Sequence, residues 1–286
     1  MTRYAKRLVI FSTAVVLVLV PLPSSAGPAL CTVTGTDGDD VFTETMQTPG
    51  SDVVCGLGGD DTFFWSAGDD LYLGGDGRDL VSYAQAPLPC EGCFGISANL
   101  YNDYVFLELE RDDIPEIEDI EASPWRDQIE DHPSEPNLIL GRGSADDVIF
   151  AGEGDRILGN GGPDTIRWRF TGDIALPLFI SGNHGKDRIA TYSSQQGVTV
   201  DLEAGTIDGP EVHAELVSIE HAQGTRYADT LIGDEKSNNL RGGVGDDALF
   251  GRAGNDTLIG GTQIDTADGQ DGTDSCDAET ESNCEA

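Results

Sequence analysis

Six acidic or amide side chains recur every nine residues near the C-terminal end of the chain: Asp229, Asn238, Asp247, Asp256, Asp265 and Asp274. Two positions after each comes an inward-type residue: Leu231, Leu240, Leu249, Leu258, Ala267 or Cys276. Glycine-rich turns precede the acids, as in GGVGDDALF (242–250) and GRAGNDTLI (251–259). A turn, an acid and a short strand at this fixed period make the pattern of a parallel β-solenoid. With two turns per coil, Asp247 and Asp265 lie above one another on one edge, and Asp256 and Asp274 on the other. Adjacent strands sit ~4.8 Å apart, and bare carboxylates at that distance repel by roughly 3 kcal/mol at an effective dielectric of 20. A hard cation relieves this. Calcium accepts about six to eight oxygens from carboxylates and carbonyls in flexible geometry, whereas magnesium demands a tight octahedron and keeps its waters. Glycine serves where the chain reverses through φ > 0 and where backbone must approach an ion closely.

These nonapeptides resemble the haemolysin-type, or RTX (repeats-in-toxin), calcium-binding repeat G-G-x-G-x-D-x-U-x. The resemblance implies an all-β fold, a parallel β-roll or β-solenoid with several Ca2+ ions in its glycine-rich turns. Carried over position by position, the ligands are the carboxylates of Asp40, Asp52, Asp61, Asp70, Asp79, Asp147, Asp164, Asp187, Asp229, Asp247, Asp256, Asp265 and Asp274. Turn carbonyls join them at Gly58, Gly75, Gly77, Gly243, Gly245, Gly254 and Gly272. Asn238 stands where an Asp is expected, and Gln263 where a Gly is expected.

The elements that must position these residues follow from the rest of the chain. Its 286 residues hold 52 Asp+Glu against 16 Lys+Arg, net −36, with 37 glycines. Such acidity argues against nucleic acid or an anionic membrane as partner. Here the acid is periodic, which favours a metal-dependent fold over the disorder that high net charge otherwise signals. Residues 1–26 read as an export signal: Arg3, Lys6 and Arg7, then the apolar run 8–20, then Ser24-Ser25-Ala26 as a cleavage site. That run is too short for the ~20 residues of a membrane span, so no anchor is expected after cleavage. In an exported chain the six cysteines are expected to oxidise, as Cys31–Cys55, Cys90–Cys93 and Cys276–Cys284.

A first calcium-type block occupies 27–83, with inward residues Phe42, Val54, Phe63, Tyr72 and Val81. Residues 84–126 lose the period and read as metal-free strands that continue the solenoid. Pro115 and the lack of a 3.6-residue period favour strand over a short acidic helix at 111–121. A second, degenerate block covers 127–190, with an insertion before Asp147 and a deletion before Asp155. Arg167 and Arg169 make it one of the few basic spots. Metal-free strands return at 191–227 and echo the first set: DLVSY with DRIATY, and GISANLYN with GVTVDLEAG. The C-terminal block is 228–277, and 278–286 form an acidic tail closed by a disulfide cap.

No HExxH, GxSxG or GxxxxGK[ST] motif is present, and His132, His184, His213 and His221 have no zinc spacing. The expectation is therefore a non-enzymatic, secreted, extracellular protein whose β-roll folds on binding calcium. Its role is structural, adhesive or matrix-forming, with a matrix or cell-surface polymer as candidate partner and no nucleic acid. The alternative is a polysaccharide-active solenoid enzyme with a lateral carboxylate groove.

Overall fold

The computed structural model describes residues 31–285 apart from 88–93, 108–109, 134, 144–145, 153, 169–177, 192–194 and 211. The export-signal segment and the expected Cys90–Cys93 bond lie outside the described residues. Among the described residues, no helix is long and apolar enough to cross a membrane.

The chain winds as a β-roll. Short strands pass alternately into two fourteen-stranded sheets that face each other. In the C-terminal block the first sheet pairs Leu240 with Leu258 and Leu258 with Cys276. The second pairs Leu231 with Leu249 and Leu249 with Ala267. All partners are parallel and 18 residues apart, two nonapeptides to the coil. The inward residues are fully shielded from water, including Leu231, Leu240, Leu249 and Leu258 in this block and Ile139, Ile149, Ile157, Ile166 and Ile189 in the middle one. Each such burial stabilises the fold by about 1.5–3 kcal/mol. In the first block Phe42 and Phe63 stack with ring centroids 4.9 Å apart, and Tyr72 lies next along the core.

The two aperiodic stretches continue the sheets in an unexpected way. Strands Ile96–Asn99, Tyr104–Leu107 and Glu110–Asp113 form an antiparallel meander inside the first sheet. Strands Thr199–Asp201, Thr206–Gly209 and Val212–Val217 form another inside the second. They are not plain solenoid coils, which corrects the expectation for 84–126 and 191–227. The physical reason is directional: three strands running up, down and up leave the outer two pointing the same way. Both outer strands can then pair in parallel with the coils on either side, as Glu110–Asp113 does with Leu71–Asp76 and Ile96–Asn99 with Gln128–Glu130. Residues 111–121 contribute strands Glu110–Asp113 and Asp119–Glu121, not a helix.

Both ends are tied. Cys31–Cys55 fastens the first described strand to the next one in its sheet. Cys276–Cys284 folds the acidic tail back, so that Thr280–Ser282 adds a last parallel strand against Thr266–Asp268.

Candidate metal centre

The periodic acids form two ladders, one along each edge of the roll. In each ladder the backbone amide of one member donates to the carboxylate of the member one coil further on. On one edge Asp40 donates to Asp61 and Asp61 to Asp79, both at 2.8 Å, and Asp79 donates to Glu118 at 2.9 Å. Further along this edge Asp229 donates to Asp247 at 2.7 Å, and Asp247 to Asp265 and Asp265 to Glu279 at 2.9 Å. On the other edge Asp127, Asp147, Asp164 and Asp187 connect in the same way and end on Glu220. There too Asn238 connects to Asp256 and Asp256 to Asp274, and that run ends on Glu285. These bonds satisfy Oδ1 and hold buried carboxylates at strand spacing. Four glutamates close the runs, where the spacing departs from nine-residue steps and a longer side chain reaches the last amide.

The second carboxylate oxygen, Oδ2, divides the aspartates into two groups. Oδ2 of Asp127, whose Oδ1 takes the Ser123 hydroxyl, is buried with no hydrogen-bond donor, as is that of Asp61, Asp79, Asp147, Asp164, Asp187, Asp247, Asp256, Asp265 and Asp274. Four residues before each of these except Asp127 stands Leu57, Gly75, Gly143, Asn160, Asn183, Gly243, Arg252, Gly261 or Gln270, and every one has a left-handed φ, between +66° and +115°. That conformation aims the amide of this residue away from the carboxylate. A glycine begins each of these turns. A Cβ built on Gly56, Gly159, Gly242 or Gly251 would lie 1.9–2.5 Å from the orphaned oxygen.

The other group supplies its own donors. Asp40, Asp52 and Asp229 have Thr36, Thr48 and Thr225 four residues earlier, and each Thr donates both amide and hydroxyl to Oδ2. Oδ2 of Asp70 accepts from the hydroxyls of Ser66 and Tyr72, and that of Asp112 from Tyr83. Asn238 is satisfied by the amide of Asp234.

The electrostatics follow burial more than this division, since Asp112 is pushed up to about 7 and Asp70 and Asp229 are raised although their Oδ2 atoms have donors. Burial, reinforced by neighbouring carboxylates, pushes Asp79 and Asp147 up to about 7, Asp164 to about 8, and Asp247 and Asp256 to about 6. Asp52, with the Thr48 amide on its carboxylate, is held below the usual range.

The turns also stack carbonyls. A Cβ on left-handed Gly75, Gly77, Gly261 or Gly272 would strike the carbonyl oxygen of Leu57, Gly59, Gly243 or Gly254 in the coil before, at 1.5–2.4 Å. Gly245 stands in the same way against Tyr227 and Gly254 against Lys236. Gly58 lies outside this left-handed column, in which Leu57 and Gly59 hold the positive φ values. Among the described residues no three His, Cys, Asp or Glu side chains converge on one point. The available donors are therefore single carboxylates mixed with backbone carbonyls. This hard-oxygen set fits calcium, and it lacks the nitrogen and sulfur ligands that zinc prefers.

The family model of the RTX calcium-binding nonapeptide repeat (four copies) matches residues 48–81, 223–258 and 250–282. These stretches are similar to RTX repeats. No curated protein matches the chain. The RTX matches take in orphaned and self-satisfied aspartates alike, Asp247 as well as Asp229, so the repeat pattern does not separate them. Sequence reasoning missed the closing glutamates, the ladder member Asp127, Asp112 whose carboxylate takes the Asp70 amide at 2.9 Å, and the hydroxyl donors. A Ser or Thr four residues before the Asp was the available signal for Asp40, Asp52, Asp70 and Asp229. Of the expected disulfides, Cys31–Cys55 and Cys276–Cys284 are formed.

Proposed function

We propose that this chain is an exported RTX protein whose β-roll folds on binding calcium and serves outside the cell as a stiff structural or adhesive rod, with no catalytic role. The observation that carries the reading is the row of buried Oδ2 atoms with no donor, each beside a turn opened by glycine. An uncompensated buried carboxylate is costly, and a divalent ion held between successive turns removes that cost. The residues we assign to calcium are Asp61, Asp79, Asp147, Asp164, Asp187, Asp247, Asp256, Asp265 and Asp274, with turn carbonyls between them. The blocks at 27–83, 127–190 and 228–277 carry the ions, and the meanders space the blocks apart. Export rests on the signal-like segment at 1–26 and agrees with the two formed disulfides. Because the oxygens must converge before the turns are stable, binding free energy is partly folding free energy. Circular dichroism of the mature chain in chelator should show little β-structure, and millimolar calcium should restore it. Identical spectra in the two conditions would overturn the reading.

A further inference from the structure

Thirteen of the 16 basic residues follow the signal-like segment, and Arg78, Arg111, Arg142, Lys236 and Arg252 are tied to acids. Arg78 pairs with Asp119, Arg142 with Glu121, Arg111 with Asp113, and Lys236 with Glu220. Other described bases have no carboxylate partner, although acids outnumber bases about threefold in this chain, and three of these, Arg167, Arg188 and Arg241, share one face. All three stand on the first sheet. Their strand neighbours Ile166, Ile189 and Leu240 point into the core, so by strand alternation the arginines point outward. Thr165–Trp168, Arg188–Ala190, His221–Gln223 and Asn239–Val244 pair in succession. Arg167 and Arg188 are thus on adjacent strands, while Arg188 and Arg241 are two strands apart, about 10 Å.

The face between them is free of acid. No outward position is acidic on the six strands from Val148–Ala151 to Thr257–Thr262. Arg167 lies over the Phe150 ring at 5.4 Å, and Arg241 is oriented by a 3.0 Å bond from Nε to the side chain of Asn239. Arg188 Nε is buried with no acceptor. A buried donor of a charged group without a partner is costly, and a bound anion supplies the partner.

We propose that this sheet face binds an anionic polysaccharide, the guanidinium groups of Arg167, Arg188 and Arg241 taking its carboxylate or sulfate groups while Gln223 and Asn239 bond sugar hydroxyls. This rests on the extracellular reading above and names the partner's chemistry. A planar, acid-free sheet suits an extended polymer lying across the strands. Arginine's fork matches carboxylate and sulfate oxygens. The polymer's charge must be sparse, one group for every one or two sugars. A nucleic acid duplex, with one charge per ~1.7 Å, would meet the repulsion of the whole −36 body, whereas over a Debye length of about 8 Å a sparse polymer senses mainly the local arginines.

The test titrates the calcium-loaded mature chain with hyaluronate, dextran sulfate and neutral dextran, and follows circular dichroism in the same samples. Hyaluronate or dextran sulfate should bind and neutral dextran should not, and comparing the first two tells carboxylate from sulfate recognition. Arg188→Gln and Arg241→Gln should each weaken binding about tenfold, as loss of a charge-assisted bond predicts. Arg156→Gln, on the opposite sheet, should leave it unchanged. No binding by either anionic polymer, or binding indifferent to the arginine changes, overturns the proposal. So does self-association that the same changes abolish, which would make a second copy the occupant, or equal competition by duplex DNA. If calcium leaves the spectrum unchanged, the functional reading falls by itself, because the arginines sit on strands and polymer binding is read separately.

Discussion

Thr225 donates its amide and its hydroxyl to Oδ2 of Asp229, at 2.6 and 3.0 Å. One coil on, left-handed Gly243 stands at the equivalent place before Asp247, whose Oδ2 has no donor. The same side chain at successive rungs of one ladder thus has two fates, decided four residues upstream.

Calcium stoichiometry should follow that division. Replacing Asp247 or Asp256 by Ala should remove calcium from the calorimetric count and cost more stability with calcium than without it, since the loss of the ladder bond to Asp229 or Asn238 is felt in both conditions. Asp52→Ala and Asp229→Ala should destabilise the roll with the count unchanged. Equal loss of calcium in both pairs would show that the orphaned oxygen is not what selects the metal turns.

The self-satisfied turns should respond to loss of their donors regardless of calcium. Tyr83→Phe leaves Oδ2 of Asp112 buried without its 2.6 Å partner, a loss of about 1–3 kcal/mol. Thr225→Val removes one of two donors to Asp229 and should cost about 1 kcal/mol. Urea unfolding at low and high calcium should give the same difference for each variant. A cost that grows with calcium would mean that these turns also hold the ion.

Acid should partly replace calcium. The folded-state values of Asp79, Asp147, Asp164, Asp247 and Asp256 stand at about 6 to 8, above the unfolded carboxylate near 4. Between those limits the folded state binds more protons than the unfolded one, so stability of the metal-free roll falls as pH rises from about 4 to 8. Metal-stripped protein should therefore melt at higher temperature at pH 5 than at pH 8, and Asp164→Asn should flatten the trend. With calcium the trend should weaken or reverse, because protons compete for the same oxygens. A higher melting temperature at pH 8 for the stripped protein would contradict the linkage.

The C-terminal cap should act locally. Cys276–Cys284 encloses a short loop, for which chain entropy allows about 2–3 kcal/mol. It also holds Glu279 and Glu285 against the amides of Asp265 and Asp274. Cys284→Ser should raise amide exchange across Gly260–Asp277 and leave Asp40–Asp79 protected. Unchanged exchange at 260–277 would refute the cap.

The repeat itself was legible in the sequence because a two-turn coil copies each position 18 residues on. Leu240 must stack on Leu258, and Asp247 must share an edge with Asp265, once the nine-residue period is counted. The edge glycines were legible for the same reason, except that Gly59 and not Gly58 occupies the left-handed column. What tertiary structure decided was non-local or conformational. No spacing foretells that 96–113 and 199–217 fold as antiparallel meanders, since their direction is set by the parallel coils that must resume on either side. Glu118 and Glu220 carry no repeat signature; they enter the ladders only because the meanders bring them beside Asp79 and Asp187. In the nonapeptide turns a free oxygen goes with a left-handed φ four places earlier, whereas Asp127 keeps one behind Ser123, and Leu57, Arg252 and Gln270 adopt left-handed φ without being glycine. That strain is imposed by the coil stacked beside them, which the sequence of one turn does not contain.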